Sequence, residues 1–291
     1  MKLWISQTIG PLNKKIAILY NSKAGKGKAV RLIVWLQAEL NERRLQFQIF
    51  ADRWPTELDS YTDAWIVGGD GTLNYFINKY PHCKLPLFIY RGGTGNDFAW
   101  KLYGNKKPED CLQVAIEASA KKVDAGTCNG RFFINGVGIG FDGEIVRSMQ
   151  ADKFLFRGHS AYYAAVLRKI FSFREAEVKI QTQEISWRMY AFMVTIANGS
   201  RYGGGFLVAP EAQIDDGRFD IVVIPKISLM QRLLLLPGAD KGKHLRIATT
   251  TRSGSVIVNA EKIIAAHLDG EAIESDNFEI DILPGKFLFR Y

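Results

Sequence analysis

The chain has 291 residues, 47% of them hydrophobic and 23% charged, and its formal net charge is +8. These values exclude a disordered or low-complexity protein and predict a soluble globular protein with one large domain or two ordinary ones. The positive charge favours a polyanionic partner, namely a nucleotide, a nucleic acid or an anionic membrane surface. The N-terminal segment lacks the apolar core of a signal peptide, and no apolar run reaches the ~20 residues of a membrane-spanning helix.

Strand and helix patterns alternate through the first part of the chain. In chain order the apolar spacing predicts a strand, a helix, a strand, a strand with its turn, a helix, a strand–turn–helix unit and a helix, over residues 14–22, 29–44, 44–52, 64–72, 73–80, 84–104 and 108–122. This alternation predicts a mostly parallel sheet covered by helices, with ligands at the carboxyl ends of its strands. Glycine-rich turns lie at those ends, in the segments "NSKAGKGKA", "VGGDGT" and "RGGTGNDFA".

After about Val123 the chain becomes β-rich. Short apolar runs alternate with turn residues, and only residues 157–173 and the region of Leu229 show helical spacing. We therefore predict an α/β domain with a mostly parallel sheet at residues 1–125 and a mainly antiparallel, β-sandwich-like domain at residues 126–291. The C-terminal tail of the second domain is expected to pack back on the first domain. A cleft between the two domains is the expected active site.

The second and third glycine turns predict a phosphate site. Glycines around Asp70 let the backbone turn sharply, and the helix that follows points its positive end at the same place. The turn with Thr94 repeats this arrangement after the next strand. Turn formation or helix capping would also explain Asp70 or Asp97 taken alone. The first turn is not a P-loop, because Ser22 and Ala29 replace its glycine and hydroxyl residues.

Four segments, "GGDGT", "GGTGNDFA", "RYGGGFLVAPEAQIDDGRFDIVVI" and "LDGE", follow one another in the chain. Their order and spacing resemble the diacylglycerol-kinase catalytic family of lipid kinases, above all its bacterial soluble members, which are related to sphingosine kinases. The resemblance covers nearly the whole chain. It implies a first domain of the phosphofructokinase and NAD-kinase type that binds ATP. It also implies a second domain that contributes to a lipid site and carries the catalytic acid.

The same resemblance implies the residues of the site. Contacts with ATP are implied for residues of all three glycine turns: Asn21, Gly68, Gly69, Asp70, Gly71, Thr72, Gly93, Thr94, Asn96 and Asp97. A Mg²⁺ ion, a hard cation that prefers oxygen ligands, is implied at the loop 209–220 with one carboxylate and two backbone carbonyls as ligands: Asp216, Gln213 and Arg218. A water-mediated network of aspartates is implied from the turns to this ion: Asp70, Asp97 and Asp124, with Asp215 as a neighbour.

Two Asp-Gly-Glu tripeptides compete for the catalytic role. A kinase that acts on an alcohol needs a carboxylate within reach of the hydroxyl. The family has its base in the later tripeptide, so Asp269 is the expected base and Glu271 a supporting group. The earlier copy, Asp142 to Glu144, is interpreted as a turn without a catalytic role. Exchange of Asp269 for Asn is expected to abolish phosphorylation while leaving the fold nearly intact.

The expected function is the transfer of the ATP γ-phosphate to the hydroxyl of a membrane lipid, diacylglycerol or a related lipid alcohol, in phospholipid biosynthesis. An alternative is a NAD kinase or a phosphofructokinase-like sugar kinase, since both share a GGDGT-type turn. A third reading is a catalytically silent protein that binds anionic lipid or nucleic acid. No nucleic-acid-binding module is recognisable, so nucleic acid is not an expected partner.

The expected location is cytoplasmic with peripheral membrane association. Three widely spaced cysteines without a CxxC motif favour reduced thiols. The basic surface and the apolar face of residues 227–236 are expected to dock on an anionic membrane. A homodimer is a candidate assembly.

Overall fold

The structure, a computed structural model of the chain, describes residues 14–151, 159–235, 238 and 241–291. The prediction that the chain has no signal peptide concerns residues 1–15. Of these the structure describes only Lys14 and Lys15, so the prediction lies outside the described residues. Within the described ranges, every helix is too short or too polar to cross a bilayer.

The first half of the molecule alternates strands and helices, as predicted, but the last predicted helix, 108–122, ends at Glu117 and its residues 120–122 belong to the strand that follows. Its strands are β1 (Lys15–Tyr20), β2 (Gln46–Ala51), β3 (Asp63–Gly68), β4 (Pro86–Arg91), β5 (Ala120–Cys128) and β6 (Arg131–Phe133). Its helices are α1 (Lys28–Glu42), α2 (Asp70–Lys79), α3 (Asp97–Tyr103) and α4 (Pro108–Glu117), with a 3-10 helix at Ala24–Gly27. Helix α1 buries Ile33, Leu36 and Leu40, so one apolar face packs inward.

Strands β1 to β4 form a parallel sheet in the spatial order β2-β1-β3-β4. All six residues of β3 are buried, which is the pattern of a central parallel strand covered on both faces. Helices α2 and α3 begin shortly after β3 and β4 end. Their first turns therefore lie at the carboxyl edge of the sheet, where such sheets bind ligands.

The second half is mainly antiparallel. Its strands are β7 (Gly136–Gly140), β8 (Ala176–Gln181), β9 (Ser186–Ala197), β10 (Arg201–Tyr202), β11 (Phe206–Leu207), β12 (Phe219–Pro225), β13 (Thr249–Ser253), β14 (Ser255–Leu268) and β15 (Glu271–Arg290). Its helices are α5 (Phe141–Ala151), α6 (His159–Ile170) and α7 (Leu229–Leu235), with a 3-10 helix at Lys243–Ile247.

The two halves share one continuous sheet of thirteen described strands, which the sequence did not predict. Strand β15 joins them: it pairs antiparallel with β14 and β5, and its last residues pair parallel with β4 through Leu288 and Phe289. Phe287 and Phe289 belong to the apolar core of the first half. The C-terminal end of the chain therefore packs against the first half.

Helix α5 corrects the interpretation of the earlier Asp-Gly-Glu tripeptide. Asp142 and Glu144 lie in the first turn of this helix rather than in a turn between strands. Gly143 makes the helix possible here, because a Cβ at this position would lie 2.3 Å from the carbonyl carbon of Ala265. Only a residue without a side chain lets α5 pack this closely on β14.

Candidate active site

A cleft of about 610 Å³ is lined by residues of both halves. All the residues predicted to contact ATP line it except Gly68 and Asn96, and the predicted catalytic residues Asp269 and Glu271 line it as well. Gly68 and Asn96 shape the turns instead: the Gly68 carbonyl accepts the N–H of Gly92 at 2.8 Å, and the Asn96 amide makes two 2.9 Å hydrogen bonds with Gly93.

The second and third glycine turns pack against each other backbone to backbone. A Cβ on Gly93 would lie 2.3 Å from the Cα of Gly69, so neither turn has room for a side chain at this point. Helix α2 begins at Asp70, directly after Gly69. The first N–H groups of a helix have no acceptor within the helix. Those of α2 lie at the wall of the cleft, where they could donate to phosphate oxygens.

The carboxylate of Asp70 forms hydrogen bonds within the protein. Its two oxygens accept the backbone N–H groups of Asp97 at 3.1 Å and Phe98 at 3.0 Å. Asp70 therefore occupies the N-terminus of α3, which the sequence had offered as a second phosphate contact. A carboxylate can stand in an anion site because neighbouring N–H groups already compensate part of its charge.

Asp97 and Asp124 tie the halves together in the same way. Asp97 accepts the N–H of Gly204 at 2.7 Å and forms an ion pair with Arg201 at 3.0 Å, and the guanidinium of Arg201 lies 3.9 Å from the centroid of the Trp100 ring. The carboxylate of Asp124 accepts the N–H groups at positions 217 (2.7 Å) and 285 (2.6 Å). Each of these aspartates therefore anchors an element from the second half.

Asp269 is the most constrained carboxylate of the cleft. Its oxygens accept three backbone N–H groups, those of Ile134, Asn135 and Gly136, each at 2.9 Å, and the side-chain amide of Asn74 at 3.0 Å. A carboxylate has about four acceptor positions, so these donors occupy all of them. Burial raises the pKa of Asp269, and the hydrogen bonds oppose that rise.

Glu271 is the exposed carboxylate of the same turn. A Cβ built on Gly71 would lie 3.7 Å from Glu271 Oε1, so this side chain reaches the first turn of α2. Next to it, His267 is buried, and burial lowers its pKa to about 4. Its Nδ1 accepts the N–H of Gly270 at 3.3 Å, and its ring stands edge-on to Tyr202 at a centroid distance of 5.0 Å.

Sequence reasoning missed Tyr202, His267 and Asn135, which also line the cleft. Tyr202 lies between the cleft and a second, apolar cavity of about 90 Å³ and lines both. Its hydroxyl donates to the carboxylate of Asp142 and lies 3.0 Å from Thr195 Oγ1. An aromatic residue alone does not indicate a functional site, because aromatic residues are common in cores. The only signal for Tyr202 was its position inside the segment "RYGGGF".

The charge of the cleft fits a nucleotide that carries a divalent cation. Four carboxylates line it, those of Asp70, Asp97, Asp269 and Glu271, and its described lining contains no Lys or Arg. Arg201 already pairs with Asp97 at 3.0 Å, so a triphosphate placed there would be stabilised by a cation that arrives with it. The described residues hold no group of three metal-ligating side chains. Mg²⁺ in other proteins is usually bound through one or two carboxylates together with substrate phosphates.

The loop 209–220 lies away from the cleft, and Gln213, Asp215, Asp216 and Arg218 are all exposed. Asp216 accepts the N–H of Arg218 at 3.1 Å. Burial together with the charges of Asp216 and Glu211 raises the pKa of Asp220. Arg252 already pairs with Asp220 at 3.1 Å and opposes this rise. Because no three acidic side chains converge on this loop, backbone carbonyls would have to complete the ligand set of a cation there.

Comparison with known proteins assigns the class of enzyme. Residues 15–128 match the family model described as "Diacylglycerol kinase catalytic domain", and residues 135–288 match "YegS C-terminal NAD kinase beta sandwich-like domain". The chain belongs to the family of YegS-like lipid kinases and diacylglycerol kinases, and it is a lipid-kinase-like enzyme with two domains.

Individual relatives agree with this assignment. A "Diacylglycerol kinase" of Bacillus subtilis is 31% identical over 233 residues, which are 77% of this chain and 73% of the relative. A "Probable lipid kinase YegS-like" of Pseudomonas aeruginosa is 26% identical over 93% of this chain and 87% of its own length. A crystal structure of a diacylglycerol kinase from Bacillus anthracis has a TM-score of 0.71 with 21% identity, covers 96% of this chain and 97% of its own, and shows the shared fold.

Proposed function

We propose that this enzyme transfers the γ-phosphoryl group of ATP to the hydroxyl of a membrane lipid, diacylglycerol or a related lipid alcohol. The observation that carries the proposal is that the packed glycine turns and the turn 269–271 line the same cleft. Phosphoryl transfer needs little covalent chemistry from the protein but much positioning, which two interlocked backbone turns provide. The residues predicted to contact ATP are proposed to do so from this cleft.

Glu271 is the residue we propose as proton acceptor, with Asp269 as the residue that holds the turn. The lipid oxygen forms a bond to the γ-phosphorus, the bond from that phosphorus to the bridging oxygen breaks, ADP leaves, and the hydroxyl proton passes to the carboxylate. All acceptor positions of Asp269 are taken by protein donors, whereas Glu271 is exposed in the cleft. The family resemblance implies these two roles in the opposite order.

Mg²⁺ is proposed at two places. In the cleft, Asp70 and Asp97 are proposed to contact, through water, a cation that arrives with ATP. At the loop 209–220, Asp216 and the carbonyls of Gln213 and Arg218 would hold a structural ion, with Asp124 and Asp215 nearby. When bound, the cation supplies the positive charge that the phosphates need. Asp124 already links this loop to the sheet through Gly217.

The acceptor lipid is proposed to extend from the cleft into the apolar cavity beside Tyr202. Apolar side chains such as Phe141, Val166, Phe192 and Ile224 line that cavity. An alkyl chain there is removed from water while its hydroxyl stays near the cleft. NAD or a sugar phosphate would leave this cavity without a fitting occupant, which favours the lipid over these alternatives.

Membrane docking is proposed through helix α7. Leu229, Met230 and Leu234 are 43%, 67% and 71% exposed, and no described residue of this helix is buried. Apolar side chains in this number suit the interface of a bilayer, and the net charge of +8 favours an anionic one. The homodimer and the cytoplasmic location stay predictions.

The domain boundary is proposed near residue 125, with domains at 1–125 and 126–291. The first family model ends at residue 128 and the second begins at 135, which supports a boundary in this part of the chain. The proposed boundary therefore lies within β5, the strand that connects the first half with the antiparallel part.

Incubation with γ-labelled ATP and a total lipid extract tests the function, with mass spectrometry of the labelled product. We expect a lipid phosphate monoester that forms only with the enzyme and Mg²⁺. Parallel reactions with NAD and sugar phosphates in place of lipid are expected to stay unlabelled. Label in NAD or sugar, or in no acceptor at all, would refute the proposal.

A further inference from the structure

A second opening in the molecule lies between strands of the antiparallel half, away from the cleft. Strands β7, β9, β8 and β14 pair in a closed circuit, because β7 and β8 each bridge β9 and β14. Strand β7 pairs with residues 193–197 of β9, whereas β8 pairs with residues 186–191. Strands β7 and β8 do not pair with each other, and a cavity of about 390 Å³ lies between them, which we call the barrel mouth.

The wall of the barrel mouth is apolar. Ile139, Val178, Ala191, Val194 and Ala265 line it, and each is at most 6% exposed. Strand β14 also bulges at this point, since residues 260–263 stand opposite the single residue 276 of β15. Bulges of this kind re-aim side chains at the rims of barrels. The bulge brings Ile263, which is 68% exposed, to the rim.

The rim of the barrel mouth is cationic. Its side chains include four cations and two carboxylates: Arg147, Lys169, Arg174, Lys262, Glu144 and Glu274. Glu144 pairs with Arg147 at 2.8 Å and Lys169 at 3.1 Å, and Arg147 pairs with Glu274 at 3.2 Å.

Two rim cations remain outside this network. Arg174 forms no ion pair with any residue that the structure describes, and Lys262 makes only an exposed 3.9 Å contact with Glu261, which does not line the cavity. Surface pairs of that kind contribute little. The rim therefore holds two positive charges in excess above an apolar wall.

We propose that the barrel mouth binds a single-chain amphiphile with an anionic head, either a fatty acid carboxylate or a monoacyl phosphate. The chain would lie against the apolar wall, and the head would pair with Arg174 and Lys262 at the rim. The volume lies within the ~300–1,000 Å³ of small-molecule pockets, and the mouths of barrels are a common place for them. Charge complementarity selects an anion over a neutral or cationic head.

Isoleucine-methyl NMR of the full chain locates the ligand directly. Ile139, Ile263 and Ile264 report the barrel mouth, and Ile170 and Ile224 report the apolar cavity beside Tyr202. Titration with decanoate below its micellar concentration is expected to shift the first set saturably. Absence of saturable shifts, or shifts confined to the second set, would overturn the proposal.

Charge reversal at the rim tests the head-group contact. Both Arg174 and Lys262 are exposed, so Arg174→Glu with Lys262→Glu leaves the core untouched, and we expect decanoate to bind roughly tenfold more weakly or worse. Lys84→Glu with Lys107→Glu is the matched control, with the same charge change at exposed positions elsewhere. Equal weakening in both double variants would trace the effect to net charge and refute the site.

Other probes resolve the chemistry of the ligand. Tighter binding of decyl phosphate than of decanoate supports a monoacyl phosphate, and the reverse order supports a fatty acid. Decylammonium and inorganic phosphate are expected to leave the barrel-mouth methyls unshifted. Saturable binding of either one there would contradict an anionic amphiphile site.

The outcome is separable from that of the proposed function. The double variant Arg174→Glu with Lys262→Glu is expected to keep its basal kinase activity. Glu271→Gln is expected to lose that activity while keeping the decanoate shifts. Loss of both properties in either variant would contradict a site independent of the cleft.

Discussion

The carboxylates of the cleft and those of the loop 209–220 differ in what already binds them. In the cleft Asp70 and Asp269 accept two and four hydrogen bonds from the protein, whereas Asp215 and Asp216 are exposed. Carboxylates of the first kind, whether half-buried like Asp70 or buried like Asp269, hold elements together, whereas exposed ones of the second kind have oxygens left for a cation. An aspartate in a motif therefore has a structural task that its motif does not reveal.

The largest expected effect is on catalysis by the exposed carboxylate of the turn 269–271. Glu271→Gln removes the proposed proton acceptor and should lower kcat by about 10²–10⁴-fold. Because the side chain is exposed, the melting temperature should stay near that of the wild type. Steady-state kinetics with ATP and lipid micelles measure this, with the exposed Glu184→Gln as control. Unchanged turnover would remove Glu271 from the mechanism.

Asp269, whose acceptor positions are all occupied, should instead affect stability. Asp269→Asn replaces one carboxylate oxygen by an amide N–H₂ that faces two of the four donors, and it should lower the free energy of unfolding by roughly 4 kcal/mol. This differs from the sequence-based expectation of a nearly intact fold. Denaturant unfolding measures the change, and the exposed Asp276→Asn serves as control. A loss of activity with full stability would restore Asp269 as the base.

The pH dependence of stability should show the buried His267. The unfolded histidine takes up a proton as the pH falls through about 6.5, but the folded one does so only near pH 4, its pKa being lowered to about 4. The free energy of unfolding should therefore be unaffected above pH 6.5 and fall by roughly 3 kcal/mol towards pH 4. His267→Gln should flatten this slope and leave the part due to His244, whose pKa burial also lowers, and the exposed His82→Gln should keep the full slope. Equal slopes in all three proteins would contradict a neutral His267.

The contact between the glycine turns should tolerate no side chain. Gly93→Ala puts a Cβ within 2.3 Å of Gly69 and should cost roughly 2 kcal/mol of stability and weaken ATP binding. Gly254→Ala is the control, because a Cβ there lies 3.4 Å from its nearest neighbour. Thermal unfolding and calorimetry measure both. If Gly93→Ala binds ATP as the wild type does, the turns are not a phosphate site.

The smallest effect is expected at the loop 209–220. Asp216→Asn changes an exposed side chain, so without Mg²⁺ the free energy of unfolding should move by less than about 0.5 kcal/mol. With Mg²⁺ the wild type should gain stability and the variant should not, since only a bound ion stabilises the folded state. Melting temperatures across a Mg²⁺ series measure this. The same gain in both proteins would place no ion at Asp216.

Local patterns in the sequence predicted the first half well. The apolar spacing of α1 and the buried run of β3 are local signals, and the glycine turns follow directly from them. A β-rich C-terminal tail that returns to the first domain was expected, but its pairing of Leu288 with Pro86 was beyond reach, because it joins residues far apart in the chain. Helix α5 was missed although Phe141, Ile145 and Met149 recur at helical spacing and pack into one apolar cluster. The donors to Asp269 lie more than a hundred residues away and leave no mark in the motif.

Calorimetric binding of ATP with and without Mg²⁺ tests the central claim, that the cleft holds a nucleotide through backbone groups and a cation rather than through basic side chains. The account predicts one site per chain with Mg²⁺ and binding weaker by roughly tenfold or more after chelation. Equal affinity under both conditions, or a site that survives Gly93→Ala unchanged, would contradict it.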